Sequence, residues 1–196
     1  MISVEINLNG ETNSYEFPTG WEDVTLDKYQ ALVNMSTPEN MNELYIFEII
    51  ESLTGIKKDI LFQMSVDDFK ILTKNLNFIH QDVPPNPIDN VEIDGETYYL
   101  HTDFNKYTAG EIITIDTILK QHDYNYTKCL TDLLCVFLRK KVNDEIEAFT
   151  TKMFDRKPLY EKLKITDVNK IFGFFFLGKS TLDNNTKDYL VENDPK

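Results

Sequence analysis

Two stretches of this chain run the same way from strand to turn, and together they limit the folds open to it. In the first, Ile6-Asn7-Leu8-Asn9-Gly10-Glu11-Thr12 is followed by Tyr15-Glu16-Phe17; in the second, Val91-Glu92-Ile93-Asp94-Gly95-Glu96-Thr97 is followed by Tyr98-Tyr99-Leu100. Apolar and polar residues alternate with period two in both, and each run enters Asn-Gly or Asp-Gly, a pair that accepts positive φ at both centres of a type I′ turn. Each stretch is expected to form a β-hairpin. Behind each comes an aromatic, Trp21 or Phe104, then Thr25 or Thr108 as an N-cap, then an apolar pattern of helical period. The expected fold is α+β and mostly helical, in two similar halves, each a hairpin followed by a small helical bundle. Whether the halves are a duplication stays open, because hairpin and cap chemistry reuse the same residues.

After the first hairpin, Pro18-Thr19-Gly20 ends the strand and brings Trp21 to where it would staple a helix with Leu26, Tyr29, Leu32 and Val33 on one face. Ser36 to Asn40 is a break. Ile46, Ile49, Ile50 and Leu53 then mark a second helix, with Gly55 as its stop. A short segment with Ile60, Leu61 and Met64 leads to Ser65, which caps a helix turning Phe69, Leu72, Leu76 and Ile79 inward. Three prolines at 84, 85 and 87 remove donors and fix φ, so residues 84–90 read as a linker between lobes 1–83 and 91–182.

In the second lobe, Thr108 and Glu111 form a capping box ahead of Ile112, Ile115 and Leu119. Leu130, Leu133, Leu134, Phe137 and Leu138 are expected on the most amphipathic helix of the chain, placed between the halves, with Ile146, Phe149 and Met153 on another. Leu159, Tyr160 and Leu163 suggest a short helix, and Thr166 a cap for one carrying Val168, Ile171, Phe172 and Phe175; residues 183–196 form a polar tail.

Composition narrows the functional classes. The chain has 196 residues, a net charge of -13 and a pI near 4.6. Such charge repels phosphate backbones, so no direct nucleic-acid binding is expected. No apolar run reaches the ~20 residues of a spanning helix, and the first residues hold no basic segment or apolar leader, which points away from membranes and toward an intracellular or virion location. Without a leader, the Asn-x-Ser/Thr triplets at Asn34, Asn125 and Asn184 carry no weight. Cys129 and Cys135 lie six apart in a helical pattern, on different sides of it, and are expected reduced. Charge is uneven: before Pro84 the only basic residues are Lys28, Lys57, Lys58, Lys70 and Lys74, while both arginines and the cluster Arg139-Lys140-Lys141 follow it.

One motif matches an enzyme pattern. Gly173-Phe174-Phe175-Phe176-Leu177-Gly178-Lys179-Ser180 satisfies the phosphate-binding G-x-x-x-x-G-K-[ST]. Three consecutive phenylalanines do not curl round a phosphate, however, and the upstream period is helical; the run reads as a buried helix ending at Gly178, with a nucleotide hydrolase as the remote alternative. Because the phenylalanines cover more than one helical face, Phe174 and Phe176 belong either to the core or to a surface for a partner. His80, His101 and His122 are isolated, so no metal is expected, nor any other cofactor. The acid pairs Glu22-Asp23, Asp67-Asp68 and Asp144-Glu145 are expected at helix starts, and Arg139-Lys140-Lys141 at a helix end, where each sign favours the dipole. The candidate interaction residues are Trp21, Tyr98, Tyr99, Arg139, Lys140, Lys141, Phe174 and Phe176; no catalytic residues stand out.

The segment Phe17-Pro18-Thr19-Gly20-Trp21-Glu22-Asp23-Val24-Thr25-Leu26-Asp27-Lys28-Tyr29 resembles a pattern near the start of small proteins from the structural gene clusters of tailed bacteriophages, including crAss-like phages. Asp94 to Tyr99 and Thr108 to Glu111 resemble the middle of such proteins. The resemblance implies a non-enzymatic virion or morphogenesis component of neck or tail. Its partners would be other phage structural proteins or further copies in an oligomer or ring. A tail-assembly chaperone and an acidic binding or inhibitor module are the alternatives.

Overall fold

Period-two alternation produces the first hairpin. Strand β1 (Ile2–Leu8) pairs antiparallel with β2 (Glu11–Phe17), in an unbroken register from Ile2↔Phe17 to Leu8↔Glu11. The computed structural model describes residues 1–8, 11–35, 44–83, 89–101, 103–169 and 171. The Asn9-Gly10 turn, the break at 36–40, the prolines at 84, 85 and 87, the motif at 173–180 with Phe174 and Phe176, and the tail at 183–196 lie outside those residues. The chain divides into two compact units, Met1–Val83 and Pro84–Lys196.

In the first unit a 3-10 turn at Trp21–Asp23 leads into α1 (Leu26–Met35). The Thr25 carbonyl accepts the first helical bond from Tyr29 N–H at 3.0 Å, while its hydroxyl donates to the Asp27 carboxylate instead of capping an amide. Helix α2 (Tyr45–Thr54) buries Ile49, Ile50 and Leu53 and packs on α1 and β2. Gly55 ends it with φ 78°, a left-handed conformation that favours glycine, and its N–H bonds Glu51 O at 2.8 Å. After α3 (Lys58–Phe62), Ser65 caps α4 (Val66–Asn75) by accepting from Asp68 N–H at 3.1 Å. The chain then tightens to a 3-10 helix over Leu76–His80, which moves the buried positions to Leu76 and Phe78 and leaves Ile79 only half-buried.

The second unit opens with β3 (Asn90–Ile93) and β4 (Glu96–Leu100). Asp94 and Gly95 between them have φ 50° and 78°, the backbone of a type I′ turn. Helix α5 (Ala109–Gln121) carries the expected capping box, but its buried stripe is Glu111, Ile115, Ile118 and Leu119, and Ile112 is exposed. The shift follows from Glu111, whose side chain turns inward. Helix α6 (Leu130–Phe137) is not amphipathic: every residue but Asp132 is buried, so it is a core helix wrapped on all sides.

The larger departures follow α6. Leu138 is extended (φ -91°, ψ 120°) and starts β5 (Leu138–Arg139), which adds antiparallel to β4 and makes a three-stranded sheet, β3-β4-β5. A second hairpin follows, β6 (Lys141–Val142) with β7 (Glu145–Ile146), turning through Asn143 and Asp144 at φ 54° and 65°. The helix expected through Ile146, Phe149 and Met153 is thus absent; Met153 lies in a 3-10 helix over Thr151–Arg156. Asp144-Glu145 sits at a turn, not at a helix start. Helix α7 (Lys157–Tyr160) is short, and the last helix begins at residue 165, two earlier than a Thr166 cap requires, with Val168 N–H bonding Lys164 O at 3.1 Å.

Both cysteines are free and buried. Burial pushes the thiols up, to about 11 for Cys129 and about 12 for Cys135, so almost no thiolate exists at neutral pH. Ellman's reagent should therefore leave both unmodified in the native chain and titrate two thiols in denaturant; rapid native labelling of either would contradict this burial.

Candidate functional site

The departure of the chain at Leu138 brings five candidate interaction residues together: Tyr98, Tyr99 and Arg139 in the three-stranded sheet, Lys140 just after it and Lys141 at the start of β6. Register places Tyr99 opposite Arg139 and Leu100 opposite Leu138, with Lys140 and Lys141 next along the chain. Lys141 Nζ lies 4.1 Å from the Tyr99 ring centre, and Lys140 Nζ lies 5.4 Å from that of Tyr98. These are cation–π distances, each worth about 0.5–1 kcal/mol at exposed sites. Tyr98 is buried, edge-on to Tyr160 at 5.7 Å, and takes the Arg156 guanidinium at 5.7 Å as well. It is a floor for two cations, and Tyr99 and Lys141 are the part of the cluster nearer to solvent.

Arg139 is 3% exposed, and its charge is met internally. Its Nη2 pairs with the Glu111 carboxylate, Nε donates to Val136 O at 3.0 Å and Nη1 to Glu147 O at 3.4 Å. The Tyr107 and Phe149 rings lie 6.0 and 5.7 Å from its guanidinium carbon. A helix-end role for Arg139 is therefore replaced by a buried ion pair. Glu111, 1% exposed, also accepts from Thr108 N–H at 2.5 Å. Burial alone would push its carboxyl up, yet the Thr108 hydroxyl and amide and the Arg139 guanidinium hold it below the usual carboxylate range. The ionised acid and the arginine answer each other's charge, and together they tie the start of α5 to β5.

Around the pair lies a cleft of about 670 Å³ bordered by His101, Glu111, Arg139, Glu147 and Phe149. His101 stacks on Tyr107 at 4.5 Å, and the Tyr107 hydroxyl donates to His101 O at 2.7 Å. Burial, then the Arg139 charge, keeps His101 below the usual histidine value. Glu147 ties the second hairpin to this strip: it accepts from Arg156 Nη2 at 3.0 Å and from Lys140 N–H at 2.8 Å. Among the described residues, no group of three or more His, Cys, Asp or Glu converges on a point where a metal ion could sit.

In the first unit Trp21 packs edge-on to Tyr29 at 5.7 Å and Phe78 at 5.2 Å, and its indole N–H donates to Gln81 O at 2.8 Å. The contact with Tyr29 is the staple on α1. Beside it runs a mostly apolar cleft of about 640 Å³ that includes Leu32, Tyr45 and Ile49. The sequence reading did not single out Glu111, His101, Tyr107 or Glu147 as parts of a site. Glu111 alone had a visible signal, its place one turn ahead of Ile115 on the buried stripe. It also missed a parallel stack of Phe47 on Phe62 (4.6 Å) and Phe69 (4.9 Å), whose outer ring, Phe62, is 56% exposed. No protein-family model, curated protein or solved structure matches this chain.

Removing one partner of a buried pair strands the other charge, at a cost of about 3–5 kcal/mol. Arg139→Met should lose that much stability in urea unfolding, and adding Glu111→Leu should recover most of it; equal losses in single and double variants would mean that the two side chains are uncoupled. Because Glu111 titrates lower when folded, its contribution is complete above the usual glutamate value of about 4.3 and lost as pH falls through the folded value. Acid unfolding curves should accordingly flatten in the double variant. Trp21→Ala should cost about 3 kcal/mol, followed by circular dichroism because the chain has a single tryptophan.

Proposed function

We propose that this chain is a non-enzymatic structural or morphogenesis protein of a tailed phage, acting in neck or tail through protein–protein contacts. What carries the reading is where the side chains are used. In the second unit the carboxylates of Glu111, Glu147 and Asp132 are taken up by Arg139, Arg156 and Lys157. Meanwhile apolar side chains stand outside: Phe62, Val66 at 69% exposure and Ile113 at 66% among them. Inward-paired charges with outward apolar groups suit a molecule that works by docking.

Charge supports contacts between copies. Residues 1–83 hold five lysines against fourteen acids, and residues 84–196 hold fifteen Lys and Arg against nineteen. In a head-to-tail ring, the acidic unit of one copy would face the less acidic unit of the next. The Phe47-Phe62-Phe69 stack, half-buried except for the exposed Phe62, favours a second reading, a tail-assembly chaperone that holds an apolar segment and leaves before the particle is complete.

Mass spectrometry of purified particles separates the two, since a component is retained and a chaperone is not. Sedimentation velocity should show oligomers in dilute buffer that dissociate as salt screens the contact, over a Debye length of about 10 Å at 0.1 M. A monomer at every salt and protein concentration, absent from particles and from assembly intermediates, would sink both readings.

A further inference from the structure

Among the described residues, the sheet of the first unit has two strands, and they leave one side of β1 open. Among the described residues no backbone hydrogen bond reaches β1 from the side away from β2. Proteins usually blunt such an edge with lysine, proline or a bulge. Strand β1 has neither residue and an unbroken register, and Glu5 is its one charge.

A groove of about 500 Å³ lies along this strand. Four consecutive β1 residues, Val4 to Asn7, border it, and no residue of β2 does. Side chains of consecutive strand residues point to opposite faces, so a groove touched by all four runs along the strand's open edge. Its far wall is α4, with Asp68, Ile71 and Leu72; Ile71 is 62% exposed. The lining holds two carboxylates, Glu5 and Asp68, and no lysine or arginine.

We infer that the open edge of β1 and the α4 wall form a docking groove for an extended, basic segment of a partner protein, which adds as a third strand to the hairpin. Backbone pairing supplies affinity, alternate apolar side chains meet Ile71 and Leu72, and basic side chains meet Glu5 and Asp68. A second copy of the same strand fits poorly. Antiparallel self-pairing about the centre of β1 sets Glu5 against Glu5, and like charges directly opposite are destabilising. The inference rests on the contact-protein reading and gives it a partner chemistry.

The test uses the full chain and a fluorescein-labelled peptide of alternating valine and threonine with two lysines, read by fluorescence anisotropy. Binding should weaken about tenfold, near 1.4 kcal/mol, when the lysines become glutamates or the central valine becomes proline. The same loss is expected for Glu5→Lys and for Ile71→Lys. Both side chains are exposed, and circular dichroism confirms that the variants fold. Hydrogen exchange should show residues 2–7 gaining protection on peptide addition. No binding, binding indifferent to proline, or protection elsewhere would overturn the inference. So would concentration-dependent protection of residues 2–7 without peptide, which assigns the edge to a second copy. Particles that contain the chain while the peptide fails to bind would end this inference alone; peptide binding by a chain absent from particles and assembly intermediates would end the phage reading alone.

Discussion

The Glu111–Arg139 pair organises the second unit. Burying two charges is tolerable only where each is met by its opposite and by further hydrogen bonds, and both conditions hold: Arg139 gives to Val136 O and Glu147 O, and Glu111 takes from Thr108. Several features follow from that one requirement. Helix α5 must turn Glu111 inward, which rotates its buried stripe and leaves Ile112 in solvent. The chain after α6 must be extended at Arg139, which puts that residue beside Tyr99 and creates the third strand. Hairpin β6-β7 must return close enough for Glu147 to meet both Lys140 and Arg156.

This explains what was legible in the sequence and what was not. Local chemistry was legible: the Asp94-Gly95 turn, the Ser65 cap, the Thr108-Glu111 box and the Gly55 stop depend on residues within a few positions of each other. Non-local pairing was not. Arg139 next to two lysines reads as a helix end, and only Glu111, twenty-eight positions earlier, makes it a strand residue inside the core. The Asn143-Asp144 turn did carry a signal, since those types tolerate left-handed backbone, but the acid pair drew the reading toward a helix start. Among the candidate residues, Tyr98, Tyr99 and Arg139 share the three-stranded sheet, with Tyr98 and Arg139 buried in it, and Lys140 and Lys141 follow on the chain into β6.

The two units use their aromatic residues differently. In the second, rings enclose cations as well as meeting other rings: Tyr107 and Phe149 flank Arg139, and Tyr98, edge-on to Tyr160, receives Lys140 and Arg156. In the first, rings meet rings, as Trp21 does with Tyr29 and Phe78 and as Phe47 does with Phe62 and Phe69. A ring closed over a cation has little face left for a visitor, whereas an open stack ending at Phe62 keeps one. In the first unit, exposed apolar side chains accordingly gather on α3 and α4, at Phe62, Val66 and Ile71.

Helix α6 passes into β5 with no residue between them. A loop at such a junction would act as a mechanical fuse, absorbing displacement before it reached the interior. Without one, a pull on β5 reaches the buried helix through a single peptide link, that between Phe137 and Leu138.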